Sequence, residues 1–234
     1  MKCGTTALHA YLDAHPDILM AAPKEMNFFV GPRVEGGDQS WHGGNWHRGL
    51  DWYASHFAEG RVCGEASPSY TSPSFPEAAE RMAAVLPDAR LIYLVRDPID
   101  RALSQYAHHR AAGTERRPLT EALLDEESQY IARSRYHERV RPYLERFPSD
   151  RIAIVLQEHL LVRRRSTMSS LFDFLGVDET FWSPTLESRF HIGVPTDRTL
   201  HRPLARELTA RLADDVVKLR TLTGRDLAEW RAYA

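Results

Sequence analysis

Two short runs carry the residue types that bind and transfer anionic groups. The first is Lys2-Cys3-Gly4-Thr5-Thr6. It offers a cation, a glycine that lets backbone approach closely, and two hydroxyl donors. Ala7, Leu8, Tyr11 and Leu12 follow at helical spacing. A helix start presents unpaired backbone N–H groups and the positive end of the helix dipole, so this junction predicts a phosphate or sulfate cradle. An ordinary N-cap by Thr5 or Thr6 would use the same residues, and the run alone does not separate the two. A Walker A loop is excluded, because a glycine, four residues and then Gly-Lys-Ser/Thr does not occur here.

The second run is Arg96-Asp97-Pro98, with Arg101 and Ser104 beyond it. Ligands of parallel α/β sheets sit past the carboxyl ends of the strands. Arg96 directly follows Arg90-Leu91-Ile92-Tyr93-Leu94-Val95, the most continuous β-prone run in the chain. Ser104 lies a little over two helical turns further on. Arg96 and Ser104 are therefore spaced to grip one phosphate from the same side. The other reading is a local Arg96–Asp97 ion pair with Ser104 on the surface.

The elements that must position these runs alternate. A first helix is stopped by His15-Pro16, and residues 17–20 read as extended. Residues 31–49 are rich in Gly, His and Trp and read as a loop. Residues 50–57 and 75–86 read as helices, with a short strand at 61–65 between them. A helix follows Pro98, then two more at 119–127 and 128–146. A buried strand at 151–156 precedes helices over 158–175, with Gly176 as C-cap. Residues 183–202 are irregular, and 203–222 and 225–232 close the chain as helices. The alternation predicts an α/β chain, three-layered, with a central parallel sheet flanked by helices, read as one domain over residues 1–234. Loops like the first run normally follow a buried strand. Only Met1 precedes it here, so the sheet is expected to lack its first strand or carry it truncated. An upstream extension should read as four or more apolar, β-prone residues and then Gly-x-Pro. A chain starting at Met1 should bind weakly and associate through an open sheet.

Composition narrows the partners. The chain has 234 residues, 43% hydrophobic and 26% charged, enough for a core of its own. Its net charge of −2 argues against a general nucleic-acid binder, so attraction for an anion must be local. The two cysteines, Cys3 and Cys63, have no zinc or redox spacing, and the eleven histidines are scattered without His-Glu-x-x-His, so no metal is expected. No apolar run reaches the length of a membrane span and no signal segment is visible, which places the chain in the cytoplasm. Oligomeric state is left open.

Taken together, the two runs resemble a known pair. Lys2-Cys3-Gly4-Thr5-Thr6-Ala7-Leu8 with His15-Pro16 resembles the 5′-phosphosulfate loop of the PAPS-dependent sulfotransferases. Leu94-Val95-Arg96-Asp97-Pro98-Ile99-Asp100-Arg101-Ala102-Leu103-Ser104 resembles their 3′-phosphate motif. Lys24-Glu25-Met26-Asn27-Phe28-Phe29, Trp52-Tyr53 and Glu65-Ala66-Ser67-Pro68-Ser69-Tyr70 are similar to the heparan-type and bacterial carbohydrate branch, as is the run from Leu222 to Leu227 followed by Trp230. The resemblance implies a P-loop-like fold. It also implies sulfuryl transfer from 3′-phosphoadenosine 5′-phosphosulfate (PAPS) to an acceptor hydroxyl or amine, without metal. The acceptor it implies is a glycan or other small molecule.

By that resemblance Lys2 stands on the leaving oxygen, while Cys3, Gly4, Thr5 and Thr6 hold the 5′-phosphate. Arg96 and Ser104 hold the 3′-phosphate. Glu25 matches the branch's general base, and Phe28 and Phe29 beside it are expected to raise its proton affinity; the other reading is a solvated loop residue paired with Lys24. Tyr136 matches a position near the nucleotide, and a core aromatic is the equal alternative. Arg198, His201 and Arg202 stand where the family folds a basic loop over the cofactor. Glu65, Trp46, His47, His108 and His109 are the acceptor candidates, and ordinary packing accounts for such residues equally well; Glu65 is also a second candidate acid, base or structural partner. The heparan 3-O enzymes carry a lysine where this chain has Ala66, and cytosolic small-molecule members use a histidine where Glu65-Ala66-Ser67 has none. Arg163-Arg164-Arg165 reads as a solvated basic face. Two rivals remain: a P-loop nucleotide kinase-like enzyme, and a truncated or inactive paralogue that binds nucleotide without turnover.

Overall fold

The structure is a computed structural model that describes residues 1–31, 43–125, 128–190 and 200–230. Helix α1 (Thr5–Asp13) leads into strand β1 (Ile18–Met20), and α2 (Gly49–Ala54) into β2 (Val62–Gly64). Helix α3 (Ala78–Val85) precedes β3 (Leu91–Val95), which feeds α4 (Pro98–Ala111). Helices α5 (Leu119–Leu124), α6 (Gln129–Ala132) and α7 (Tyr136–Leu144) come next. Strand β4 (Ile152–Leu156) is followed by α8 (Gln157–Val162), α9 (Arg164–Leu175) and α10 (Arg202–Thr223).

The four described strands pair in parallel as expected, but in two separate sheets. β1 pairs with β2, Ile18 opposite Val62, and β3 pairs with β4, Leu91 opposite Ile152. One buried cluster joins Leu8, Tyr11 and Leu12 of α1 to Leu94, Val95, Val155 and Leu156 of the strands and to α9. A second gathers Met26, Phe28 and Phe29 with Tyr53, Met82 and Tyr143. A third packs α4, α5 and α6 against Leu204, Leu208 and Leu212 of α10.

Local chemistry fixes the ends. Asp97 caps α4 by accepting the Ile99 and Asp100 amides at 2.9 and 3.0 Å, with Pro98 in the first turn. Two expected helices are corrected. Residues 128–146 are not one helix: the buried Ser134 breaks them, its Oγ accepting from Arg101 and donating to the Pro98 carbonyl. The final helix over 225–232 is absent through residue 230, because Gly224 turns left-handed at φ 64° and Leu227 does the same at φ 57°; residues 231–234 lie outside the described residues.

Candidate anion-binding site

The loop before α1 forms by two left-handed residues, Lys2 at φ 64° and Gly4 at φ 90°. Gly4 is the N-cap of α1, and no side chain caps it. The alternative of a cap by Thr5 or Thr6 is therefore not realised, and both threonines are only partly buried at the helix start. Glycine at position 4 is favoured by the backbone conformation, and the loop packs closely on its support. The backbone is left-handed there, and a Cβ would stand 3.4 Å from Gln157 Nε2, the side chain that backs the loop.

Arg96 closes the loop from the carboxyl end of β3. Its Nη1 donates to the Lys2 carbonyl at 3.3 Å, and its Nη2 faces Asp100 Oδ2 at 3.5 Å. Burial first, and then the nearby Arg96 charge, hold the Lys2 ammonium below the usual lysine range. Among the described residues no acid pairs with Lys2. Two cations thus meet at an uncapped helix start, which is an arrangement completed by a multiply charged anion. The carboxyl ends of the two strands are tied together as well, since the Asp97 amide donates to Glu158 Oε1 at 3.0 Å.

Beneath the loop lies a buried polar layer. Cys3 is 2% exposed, with Sγ 3.7 Å from the Tyr136 hydroxyl. Tyr136 is packed in the core against Tyr93 and Trp230, which places it under the loop rather than on its surface. Burial raises its hydroxyl pKa well above the tyrosine range. Arg101 is also buried. It donates to Ser134 Oγ at 2.7 Å, to Gln105 Oε1 at 2.6 Å and to the Tyr130 carbonyl, so it braces α4 against α6.

A second constellation surrounds Glu25. The Glu65 carboxylate accepts from Ser67 Oγ at 2.5 Å and from the Tyr70 hydroxyl. Ser67 Oγ accepts the Asn27 amide at 2.9 Å, and Tyr70 accepts the Phe28 amide at 2.9 Å. The Ala66 amide donates to the Lys24 carbonyl at 3.1 Å, and Lys24 Nζ donates to the Ala66 carbonyl at 3.0 Å. Residues 24–28 are thereby fastened to 65–70. Burial raises the Glu65 pKa, opposed by its hydroxyl donors. Glu65 is thus an internal anchor, the structural-partner reading rather than an acceptor contact. Glu25 itself is 48% exposed at the side chain and pairs with Lys24 at 2.8 Å through Oε1. The apolar enclosure expected from Phe28 and Phe29 is not formed, because both rings are buried in the second cluster, stacked among Trp46 and Tyr53.

Other expected residues are not gathered here. Ser104 lies two turns into α4, partly buried, and among the described residues no hydrogen bond joins it to Arg96. His108 and His109 occupy the last turn of α4, about 15 Å along its axis from Pro98. His109 Nδ1 contacts the Tyr130 hydroxyl at 3.0 Å, a packing role. Trp46 packs on Phe28 and under Arg81, and His47 is exposed beside it. His201 caps α10 by accepting the Leu204 amide, and Arg202 is the exposed first residue of that helix. Arg198 and residues 32–42 of the expected acceptor loop lie outside the described residues. Gln157, Glu158 and Tyr70 were not singled out from sequence. The rule that sites lie past strand ends would have found the first two.

Among the described residues there is no group of three or more metal-ligating side chains, and no helix long and apolar enough to cross a membrane. A family model described as "Sulfotransferase family" matches residues 1–183. The solved structure of a sulfotransferase from Alicyclobacillus acidocaldarius is similar at TM-score 0.78 and 31% identity, covering 98% of this chain and 95% of that one. That likeness, with parallel strands between helices, bears out the expected P-loop-like α/β fold. The human bifunctional heparan sulfate N-deacetylase/N-sulfotransferase 2 is 28% identical over 225 residues, covering 80% of this chain and 24% of that protein. The mouse heparan sulfate glucosamine 3-O-sulfotransferase 3A1 is 29% identical over 256 residues, covering 96% of this chain and 61% of that protein. The chain thus spans less than two thirds of the length of either curated relative.

Proposed function

Because the chain belongs to the sulfotransferase family, we propose that it moves a sulfuryl group from PAPS to an acceptor hydroxyl or amine. The observation that carries this reading is the meeting of Lys2 and Arg96 at the uncapped start of α1. The site residues fit the donor: a helix start for the 5′-phosphosulfate and a second cation for the 3′-phosphate. PAPS supplies an activated sulfuryl group and a phosphate leaving group. Lys2, with the amides and hydroxyls at Gly4, Thr5 and Thr6, stabilises the charge that grows on the leaving oxygen. Arg96 and Ser104 hold the 3′-phosphate and so fix the donor in line with the acceptor. Glu25 takes the acceptor's proton through Oε2, the oxygen not engaged by Lys24, as the new bond to sulfur forms and the bond to the leaving phosphate breaks. The products are the sulfated acceptor and adenosine 3′,5′-bisphosphate.

The acceptor in this reading is a carbohydrate or another small metabolite. Similarity to the two heparan sulfate sulfotransferases supports a carbohydrate. A kinase-like reading has no support, since no Gly-Lys-Ser/Thr run occurs. The test is a transfer assay with labelled PAPS against a panel of glycans and small hydroxylated metabolites, without added metal. Transfer to one acceptor that falls about a thousandfold in Glu25→Gln supports the reading. Equal rates in the variant remove Glu25 from the mechanism, and binding of the donor without transfer to any acceptor favours an inactive paralogue.

A further inference from the structure

Where α8 ends and α9 begins, the sequence runs Leu161-Val162-Arg163-Arg164-Arg165. The fold leaves this run exposed. Val162 is 83% exposed and Leu161 62%, and among the described residues no other large apolar side chain is exposed as much. Val162 and the three arginines line a cleft of about 640 Å³ together with Phe181 and Trp182. The arginines divide by role. Arg164 is a brace: it donates to the Leu160, Leu186 and Ser188 carbonyls at 3.1, 2.8 and 3.2 Å, and it stands 4.9 Å from the centre of the Tyr11 ring. Arg163 and Arg165 are exposed. Arg165 lies 5.0 Å from the Trp182 ring centre, and the Trp182 indole is itself held by donating to Glu187 at 3.1 Å.

Among the described residues neither Arg163 nor Arg165 forms an ion pair, whereas Arg81, Arg117 and Arg211 elsewhere each have a carboxylate within 3.3 Å. Glu179 is the one acid on the described lining of the cleft. In a chain of net charge −2 this is a local positive ridge. Cations of this kind attract any polyanion. The two protruding aliphatic side chains narrow the choice, because an acidic sugar or a nucleic acid offers them no apolar layer. A bilayer that contains anionic lipid offers both: negative headgroups at its surface and hydrocarbon just beneath them. An aromatic ring such as Trp182, apolar with a polar edge, suits the boundary between the two.

We propose that the ridge at residues 161–165, with Trp182, docks on an anionic membrane surface: Arg163 and Arg165 meet the headgroups while Leu161 and Val162 enter the acyl boundary. The contact is peripheral and reversible, since two aliphatic side chains and two arginines are a weak anchor beside a spanning helix. The inference rests on the ridge and not on the proposed activity. The test is co-sedimentation of the 234-residue chain with neutral phosphatidylcholine vesicles and with vesicles carrying about 30% phosphatidylserine. Binding should be at least about tenfold stronger to the anionic vesicles and should be lost at about 1 M salt, where charge is screened within about 3 Å. Arg163→Glu combined with Arg165→Glu should abolish the preference. Leu161→Ser combined with Val162→Ser should weaken binding about tenfold, an effect that attraction between charges alone does not produce. Both pairs leave the bracing Arg164 in place, and melting curves check that each variant folds. If the charge-reversed pair does not fold, the serine pair and the salt titration decide. Equal binding to both kinds of vesicle, binding to neither, or a preference that survives the arginine changes overturns the proposal. So does undiminished binding in the serine pair, or retention on heparin without binding to vesicles, because the ridge then serves a soluble polyanion.

Discussion

Tyr70 donates its hydroxyl to the Glu65 carboxylate and accepts the Phe28 amide at 2.9 Å. One phenol thus links the segment after β2 to the turn that presents Glu25. Tyr70→Phe keeps the ring packing against Phe29 and removes both bonds. Leaving a buried amide and a carboxylate oxygen short of partners costs about 1–3 kcal/mol. The variant should melt lower, and its kcat should fall about tenfold while the KM for the sulfuryl donor stays unchanged, because the turn is loosened and the anion loop is not. Thermal unfolding and steady-state kinetics check both. A raised donor KM at constant kcat would contradict this assignment.

Lys2 gives a pH signature. Burial and Arg96 hold its pKa below the usual lysine range, so the charged form is lost earlier as pH rises. Affinity for a dianionic ligand should fall on the alkaline side, starting below the ordinary lysine pKa. In Lys2→Arg that limb should vanish, because the guanidinium stays charged. Titrations across alkaline pH, with the ligand's own ionisation complete, measure it.

Glu65 predicts a slope in stability. Its folded pKa is raised by burial, so in the window between the unfolded value and the folded one the native state holds the extra proton. Stability is then fully present below the unfolded pKa and is lost as pH rises through the folded pKa. Glu65→Gln should flatten the melting-temperature profile across this window while lowering it overall, since the Ser67 and Tyr70 hydroxyls lose a carboxylate acceptor. Melting curves at closely spaced pH values decide it; an unchanged profile would mean that Glu65 does not titrate there.

Much of this was legible in the sequence because it rests on local rules. The run from Leu91 to Val95 is a strand because it is continuous and apolar, and Asp97-Pro98 starts a helix because one caps and the other fits the first turn. The strand-end rule places Arg96 at a site and the resemblance of the two runs joins Lys2 to it, but the contact of Arg96 with the Lys2 carbonyl is visible only in the structure. What failed was set by distant partners. Ser134 breaks the helix because Arg101, 33 positions earlier, needs an acceptor. Glu65 turns inward because Tyr53, Ser67 and Tyr70 converge on it. For Tyr136 the core alternative is the one the packing favours, because Cys3 and Trp230 lie against it. The histidines of α4 were grouped with the site by residue type alone, and helix length carries them away from it.

The central claim is that Lys2 and Arg96 form the donor site, and calorimetric titration with adenosine 3′,5′-bisphosphate, beside AMP and without metal, tests it most directly. The account predicts binding of the bisphosphate at least about a hundredfold tighter than AMP, with that preference lost in Arg96→Ala because the 3′-phosphate then lacks its cation. Equal affinity for the two nucleotides in a folded sample, or a preference that survives Arg96→Ala, would contradict it.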